Sequence, residues 1–302
     1  MNKDILNLLS NKLNLKDKSA EEILQIGIDD LTKSVKELGT EPIDSIPREK
    51  IRGLLETKEI GREIYCFKSV KSTSIVAKFL SDHVSSGTII LSETQTMGKG
   101  RSGKKYESPE GGIWLSIILK PDISPAKAPL LTLTTAVAVT RTLKSFNIDS
   151  KIKWPNDVLI NDKKVCGILT ESIAKFNDLQ SIIVGVGINS EVNIDELPKE
   201  IRKTSISLND VVDHVNNTKG LVCFLKEFEY CYNKFLEEDF EFIFDEWRRY
   251  NHTIGKNVEI KQPYGKVITG YAVGIDQEGA LIIEKNNGKL VKIYSGECRV
   301  LK

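Results

Sequence analysis

A nine-residue stretch, Gly98-Lys-Gly-Arg-Ser-Gly-Lys-Lys-Tyr106, contains four cationic side chains and three glycines and no acidic residue. The whole chain has 43 Lys and Arg against 42 Asp and Glu, so the positive charge of this stretch is local. Glycine lets a backbone approach a ligand closely, and Lys and Arg supply charge and hydrogen-bond donors. This stretch, called the glycine loop, therefore predicts a flexible loop that closes over an anion such as a phosphate or a carboxylate.

The glycine loop also matches two nucleotide-binding patterns in part. Gly98-x-Gly-x-x-Gly103 fits the dinucleotide-binding pattern, and Gly98-x4-Gly-Lys104 nearly fits a P-loop. Both patterns need a strand before the loop and a helix directly after it. Residues 88–94 are apolar and β-branched and predict the strand, whereas the helix breakers in residues 106–112 argue against the helix. Neither nucleotide fold is expected, and a solvated basic loop without a ligand is the remaining alternative.

Three further segments place small or polar residues where a sheet would present them to a ligand. The first, Lys153-Trp-Pro-Asn-Asp157, ends a strand in a polar turn beside an aromatic ring. The second, Lys164-Val-Cys-Gly-Ile-Leu, carries a lysine just before a strand whose glycine allows close approach. The third, Gly185-Val-Gly-Ile-Asn189, exposes backbone at two glycines. Taken singly, each also fits a structural role as an ordinary turn, a solvated lysine or a bulge.

Taken in order, these four segments closely resemble the biotin protein ligases. That family has a Gly-Arg-Gly-Arg-x-Gly loop followed by Lys-Trp-Pro-Asn-Asp, Lys-x-x-Gly-Ile-Leu and Gly-x-Gly-Ile-Asn. Upstream, Val70-Lys-Ser-Thr73 is similar to the family's Asp-Ser-Thr-Asn. The resemblance covers roughly residues 60–302, with Lys99 replacing the commoner Arg and Tyr106 the usual Trp.

The resemblance implies an α/β fold in three parts. A helical extension over 1–45 precedes a mixed-sheet catalytic domain over 46–253, similar to that of biotin and lipoate ligases. A small SH3-like β-barrel over 254–302 ends the chain, in agreement with its short strands and frequent glycines. The patterns also predict helices at 51–59, 73–84, from 124, at 130–146 and at 221–235, and strands at 64–67, 151–154, 158–160, 165–173 and 181–188.

The implied reaction has two steps. ATP and biotin form biotinyl-5′-adenylate and pyrophosphate, and the biotinyl group then passes to a lysine of a biotin carboxyl-carrier protein. Attack of a carboxylate on a phosphate needs charge neutralisation and positioning more than it needs a base. This requirement agrees with the clustered Lys and Arg and with only three histidines, which lie far apart in the sequence.

By resemblance, the site residues fall into three sets, with Lys164 and Arg101 expected to be catalytic. The expected biotin-binding residues are Ser72, Thr73, Ser74, Gln95, Lys99, Gly100, Arg101, Trp114, Lys164, Gly167, Gly185 and Gly187. The expected ATP-binding residues are Arg101, Lys104, Trp154, Asn156, Asp157 and Asn189. The cofactor set is biotin, ATP and Mg²⁺, and Asp157 is the expected metal ligand because Mg²⁺ prefers oxygen ligands.

Composition places limits on the compartment and on partners. A chain of 302 residues with 40% hydrophobic and 28% charged residues is typical of an ordinary globular protein of two or three domains. Five scattered cysteines without a Cys-x-x-Cys pair predict reduced thiols. We find no signal-peptide or membrane pattern and expect a cytoplasmic protein. A homodimer is expected from the resemblance alone.

The N-terminal extension leaves a second function open. Residues 4–15, 20–26 and 29–38 predict short helices, and a helix-turn-helix would place its turn at Gly27. Residues 1–60 contain ten Lys and Arg against twelve Asp and Glu, a balance that disfavours DNA binding. A bifunctional ligase and DNA-binding repressor of a biotin operon remains the alternative function, and a non-catalytic biotin-binding module is a third.

Overall fold

The computed structural model of the protein describes residues 41–42, 48–175 and 178–301. The helices are α1 (Arg48–Leu54), α2 (Thr73–Leu80), α3 (Leu130–Ser145), α4 (Lys199–Arg202), α5 (Asn217–Leu236) and α6 (Phe240–Tyr250). The strands are β1 (Glu41–Pro42), β2 (Ile64–Val70), β3 (Thr88–Gln95), β4 (Ile113–Leu119), β5 (Lys151–Lys153), β6 (Asp157–Ile160), β7 (Lys163–Lys175), β8 (Asp178–Ile188), β9 (Asn257–Lys261), β10 (Val267–Ile275), β11 (Leu281–Glu284), β12 (Leu290–Ile293) and β13 (Glu297–Val300). The helices expected within residues 4–38 lie outside the described residues.

The large sheet is mixed and has the strand order β1-β2-β3-β4-β8-β7-β6-β5. Strands β2 and β3 are parallel, and the other neighbours are antiparallel. Helix α2 packs against β3, β4 and β8 on one face, while α3 covers the other face together with α5 and α6. Successive side chains of a strand point to opposite faces of the sheet. Because helices cover both faces, the side chains of the central strands are apolar on both sides.

Helix α3 is buried on nearly all sides because it lies between the sheet and α5. Its threonines would be costly inside an apolar core if their hydroxyls had no partner. Instead, Thr134 Oγ1 donates to the carbonyl of Leu130 at 2.9 Å, and Thr142 Oγ1 donates to that of Ala138 at 2.8 Å. The hydroxyls are thereby satisfied within the helix, and α3 forms a central support for the sheet.

A second sheet, with the order β12-β11-β10-β9-β13, is antiparallel throughout. It contacts the body of the protein through the turn that follows β5. Trp154 is fully buried there, and its indole Nε1 donates to the carbonyl of Gly279 at 3.1 Å. The backbone N–H of Trp154 donates to Thr253 Oγ1 at 2.9 Å. The α/β fold with a separate C-terminal β unit is thus confirmed.

Some local predictions need correction. The glycine loop contains a short 3₁₀ turn at Arg101–Gly103, and the next regular element after the loop is β4, which agrees with the rejection of a nucleotide-binding helix. The helix expected at 51–59 ends at Leu54, and the one expected from 124 is only a 3₁₀ turn at Pro125–Lys127. The sequence patterns did not identify β4 or α6. Within the described ranges, no helix combines the length and the apolar character needed to span a bilayer.

Candidate active site

A cavity lies on the face of the large sheet that carries α2, and it is called the sheet cavity. Eleven of the twelve expected biotin-binding residues line it: Ser72, Thr73, Ser74, Gln95, Lys99, Gly100, Arg101, Lys164, Gly167, Gly185 and Gly187. The cavity has a volume of about 60 Å³.

The closed end of the sheet cavity is a hydrogen-bonded network at the start of α2. Gln95 Oε1 accepts from the backbone N–H of Thr73 at 2.8 Å and from its hydroxyl at 3.2 Å. Thr73 Oγ1 also lies 2.8 Å from Ser116 Oγ, and Ser72 Oγ lies 3.0 Å from Ser74 Oγ. Hydroxyls can donate and accept, so this network can pair with a ligand that presents both kinds of group.

Two glycines form the floor of the sheet cavity. Gly167 and Gly187 lie opposite each other on β7 and β8, and a Cβ atom on either would lie 2.7 Å from the ring of Tyr106. The hydroxyl of Tyr106 donates to the carbonyl of Gly187 at 3.0 Å, and burial raises the pKa of this phenol well above its usual value. Glycine is required at both positions because any side chain would collide with Tyr106.

Trp114 is not among the residues that line the sheet cavity, in contrast to the prediction. Its ring is completely buried and meets Tyr106 edge-on, with ring centroids 5.9 Å apart. The indole Nε1 donates to the carbonyl of Pro109 at 2.7 Å. The alternation of side chains along β4 directs Trp114 to the face of the sheet that carries the sheet cavity, but Tyr106 lies between Trp114 and the cavity. Trp114 therefore supports the wall of the cavity and does not form its surface.

The ends of the glycine loop close on each other through the backbone. The N–H of Tyr106 donates to the carbonyl of Gly98 at 2.8 Å, and the N–H of Gly100 donates to that of Lys104 at 2.7 Å. A Cβ atom on Gly98 would lie 2.3 Å from the carbonyl oxygen of Tyr106, so no other residue fits there. Gly103 has φ +74°, in the left-handed region that favours glycine.

A second cavity, called the loop cavity, lies between the glycine loop, the turn at 153–157 and the C-terminal sheet and has a volume of about 320 Å³. Six cationic side chains line it, namely Arg101, Lys104, Lys105, Lys153, Lys164 and Lys261. Five of the six expected ATP-binding residues are also there: Arg101, Lys104, Trp154, Asn156 and Asp157. Such a concentration of positive charge suits a polyphosphate.

Lys164 and Arg101 line both cavities and so mark the junction between them. Lys164 Nζ lies 2.6 Å from Asp157 Oδ1 and 5.3 Å from the centroid of the Tyr106 ring. Arg101 Nη1 donates to Asn156 Oδ1 at 3.2 Å. Burial lowers the pKa of the Arg101 guanidinium, an effect that the Asp157 carboxylate opposes. Two cations therefore meet at the point where an anion in one cavity would face an anion in the other.

Asn189, expected at the nucleotide, lies elsewhere and lines neither cavity. Its side chain is 6% exposed, and Nδ2 donates to the carbonyls of Lys164 at 3.3 Å and Ile206 at 3.1 Å. The backbone N–H of Lys164 also donates to the carbonyl of Thr204 at 2.8 Å. Asn189 is therefore a backbone clamp that positions Lys164.

The residues around Asp157 do not form a metal site of their own. Its two carboxylate oxygens lie 2.6 Å from Lys164 Nζ and 3.8 Å from Lys153 Nζ. Across the described part of the chain, no three His, Cys, Asp or Glu side chains are grouped as metal ligands. Asp157 as a magnesium ligand stays a prediction in which the nucleotide phosphates would supply most of the oxygen ligands.

The sequence patterns missed several residues of the two cavities. Ser116 is completely buried, lines the sheet cavity and is the single polar residue of β4, a signal that could have identified it. Gly296 and Glu297 enter the loop cavity from the C-terminal sheet. Glu297 lies 2.6 Å from Lys104 Nζ, and the Gly296 carbonyl accepts from Arg101 at 3.3 Å. No local pattern indicates these contacts, because they depend on how the two sheets pack.

Comparisons with known proteins agree with this geometry. The model of the biotin/lipoate A/B protein ligase family matches residues 66–189, and that of the biotin protein ligase C terminal domain matches residues 253–301. The bifunctional ligase/repressor BirA of Bacillus subtilis is 36% identical over 259 residues, which are 83% of this chain and 78% of that protein.

Two further relatives extend the comparison. The biotin--[acetyl-CoA-carboxylase] ligase of Mycobacterium tuberculosis is 26% identical over 75% of this chain and 84% of that protein. The structure of a biotin protein ligase from Aquifex aeolicus in complex with biotin and ATP superposes with a TM-score of 0.70. The two chains are 30% identical in sequence, and the superposition covers 80% of this chain and 99% of the Aquifex aeolicus chain.

Proposed function

The chain belongs to the biotin protein ligases, and we propose that Lys164 and Arg101 carry the chemistry of its ATP-dependent ligation. The enzyme activates biotin with ATP to form biotinyl-5′-adenylate and then transfers the biotinyl group to a protein. The position of Lys164 and Arg101 at the junction of the two cavities is the observation that carries this assignment.

In the first step, a biotin carboxylate oxygen forms a bond to the α-phosphorus of ATP, the bond to the β-phosphate breaks, and pyrophosphate leaves. Biotin would occupy the sheet cavity, with its ureido ring on Thr73 and Gln95 and its carboxylate toward Lys164. The nucleotide phosphates would occupy the loop cavity with its six cations. Lys164 and Arg101 would reduce the repulsion between the two anions and hold them in position for this reaction.

In the second step, the ε-amine of the acceptor lysine attacks the acyl carbon, and AMP leaves. The acceptor is a biotin carboxyl-carrier protein, as ligase identity supports. Until it arrives, the adenylate must be kept from water. The glycine loop is suited to this task because Arg101 and Lys104 connect it to the C-terminal sheet. Homodimer formation and a cytoplasmic location stay predictions.

The first step is tested by biotin-dependent exchange of labelled pyrophosphate into ATP. We expect exchange by the purified protein, and we expect it to depend on biotin. A protein that binds biotin without any exchange would be a binding module, and the proposal would fail. Incorporation of labelled biotin into a carrier domain then tests the second step independently.

DNA binding is the second candidate function. It is favoured by one observation, the 36% identity to the bifunctional ligase/repressor of Bacillus subtilis. The residues that would form the helix-turn-helix lie outside those that the structure describes. DNA binding is tested by measuring binding to the promoter of the host's own biotin operon. The measurement is made with and without biotin and ATP and at several salt concentrations. Salt-independent or absent binding would exclude a repressor.

A further inference from the structure

A third cavity, called the apolar cavity, has a volume of about 460 Å³ and lies on the sheet face opposite to the active site. Ile113 of β4 and Ile188 of β8 line it, whereas Ser116 and Gly187 of the same strands line the sheet cavity. These pairs are an odd number of residues apart in their strands, so they point to opposite faces. The site of ligation and the apolar cavity are therefore separated by the sheet.

The walls of the apolar cavity are mainly aliphatic. They are formed by Ile113, Val139, Leu143, Ile148, Ile188 and Leu208, together with neighbours on α3 and on the segment before α5. The volume is within the range of about 300–1,000 Å³ that is usual for small-molecule sites. It is also about three times that of the roughly 150 Å³ cavity that can bind benzene. An apolar ligand of moderate size would therefore fit.

A few polar groups distinguish this cavity from a simple packing defect. Ser190 is completely buried and lines the cavity, and its Oγ has no hydrogen-bond partner among the described residues. A buried hydroxyl without a partner is unfavourable, so a ligand that hydrogen-bonds to it would be favoured. At the rim, the exposed side chains of His214, Asn216 and Lys219 supply further donors. None of the described lining residues is acidic.

We propose that the apolar cavity is a second ligand site, separate from the ligation site, that binds an aliphatic carboxylate. The alkyl chain lies against the aliphatic walls, and the carboxylate accepts from Ser190 and from the cationic rim. Biotin is a poor match because its ureido ring needs several buried donors and acceptors, and of the two buried hydroxyls in this cavity only that of Ser190 is without a partner among the described residues. The proposal does not depend on the ligation chemistry.

Gly220 provides a direct test because it lines the cavity within the first turn of α5. A Cβ atom there would have only one neighbour within 4 Å, the Cδ1 atom of Ile113 at 3.8 Å. Gly220→Leu should therefore extend into the cavity without disturbing the helix. Gly220→Ala is the matched control, since it makes a similar change in helix propensity and fills much less space.

The experiment is calorimetric titration of octanoate into the full chain saturated with biotin, so that the ligation site is occupied. We expect saturable binding of one octanoate per chain. Gly220→Leu should weaken binding at least tenfold, while Gly220→Ala binds like the wild type. Ser190→Ala should weaken octanoate binding severalfold. Lys219→Gln should weaken binding of octanoate but not of 1-octanol. Pyrophosphate exchange by both Gly220 variants should equal that of the wild type, which shows that they are folded.

Several results would overturn the proposal. Absence of saturable octanoate binding would do so, as would equal affinity of the wild type and Gly220→Leu. Binding that occurs only without biotin would assign octanoate to the sheet cavity instead. If octanoate does not bind but Gly220→Leu changes the sedimentation coefficient, a protein surface covers the cavity. Loss of pyrophosphate exchange in the wild type would count against the ligase function and not against this site.

Discussion

Replacing Lys164 by methionine tests the central assignment because it removes the charge and keeps an unbranched side chain over Tyr106. The Nζ atom lies 2.6 Å from Asp157 Oδ1, and the side chain is 30% exposed. A pair of this kind contributes only about 1 kcal/mol to stability, so the fold should be retained. The effect on the reaction should be larger, because the same ammonium would face charge that develops in the transition state.

Loss of one such donor typically lowers the rate by about 10²–10³, or roughly 2.7–4 kcal/mol of transition-state stabilisation. We therefore expect kcat/KM for biotin-dependent pyrophosphate exchange to fall by that factor in Lys164→Met. The melting temperature should change by only a few degrees. Both quantities are measured on the same preparation, so that a loss of rate is not confused with a loss of folded protein.

Lys153→Met is the matched control. Lys153 also contacts Asp157, at 3.8 Å, and lines the loop cavity but not the sheet cavity. Its replacement should raise KM for ATP by a modest factor and affect KM for biotin little. The reasoning is refuted if Lys164→Met retains exchange within about threefold of the wild type, a difference of only about 0.7 kcal/mol. Equal losses in the two variants would show that only the total charge matters.

Three further predictions follow from contacts around the site. Arg101→Gly should release the adenylate, because the loop loses its hydrogen bonds to Asn156 and Gly296, and biotin should appear on an added bystander protein. Labelling confined to the carrier domain would argue against a sealing loop. Asn189→Leu should reduce both exchange and the free energy of unfolding, the latter by about 1–3 kcal/mol in urea, because two buried carbonyls lose a donor. Unchanged values would exclude the clamp. The hydrogen bond from Lys104 lowers the pKa of Glu297. The ion pair is therefore fully present above the ordinary glutamate pKa of about 4.3, and it is lost as the pH falls through the lowered pKa of Glu297 in the folded protein. Adenylate dissociation, measured by stopped flow, should accelerate over that acidic window in the wild type but be fast and pH-independent in Glu297→Gln. Parallel profiles would show that the Lys104–Glu297 pair does not hold the glycine loop closed.

Much of the fold was predictable where the pattern is local. Strand β3 and helix α3 follow from continuous apolar runs, and helices α2 and α5 follow from apolar residues with a helical period. Strand β4 was not identified because Ile113–Leu119 is apolar on both faces and has no alternation. Such a run is typical of a strand in the centre of a sheet, where both faces are covered.

The sequence by itself determined the family and predicted most of the residues that line the sheet cavity and the loop cavity. The proposed reaction would use cations at the glycine loop and a lysine beside a glycine floor, and these features appear as short motifs whose residues are close in the chain. Only the tertiary structure decided which residues line the two cavities. Ser116 and Glu297 line them, while Trp114 and Asn189 lie behind the lining residues and support them. The reason is that strand order and sheet packing bring together residues that are far apart in sequence. Local periodicity contains no information about those distances.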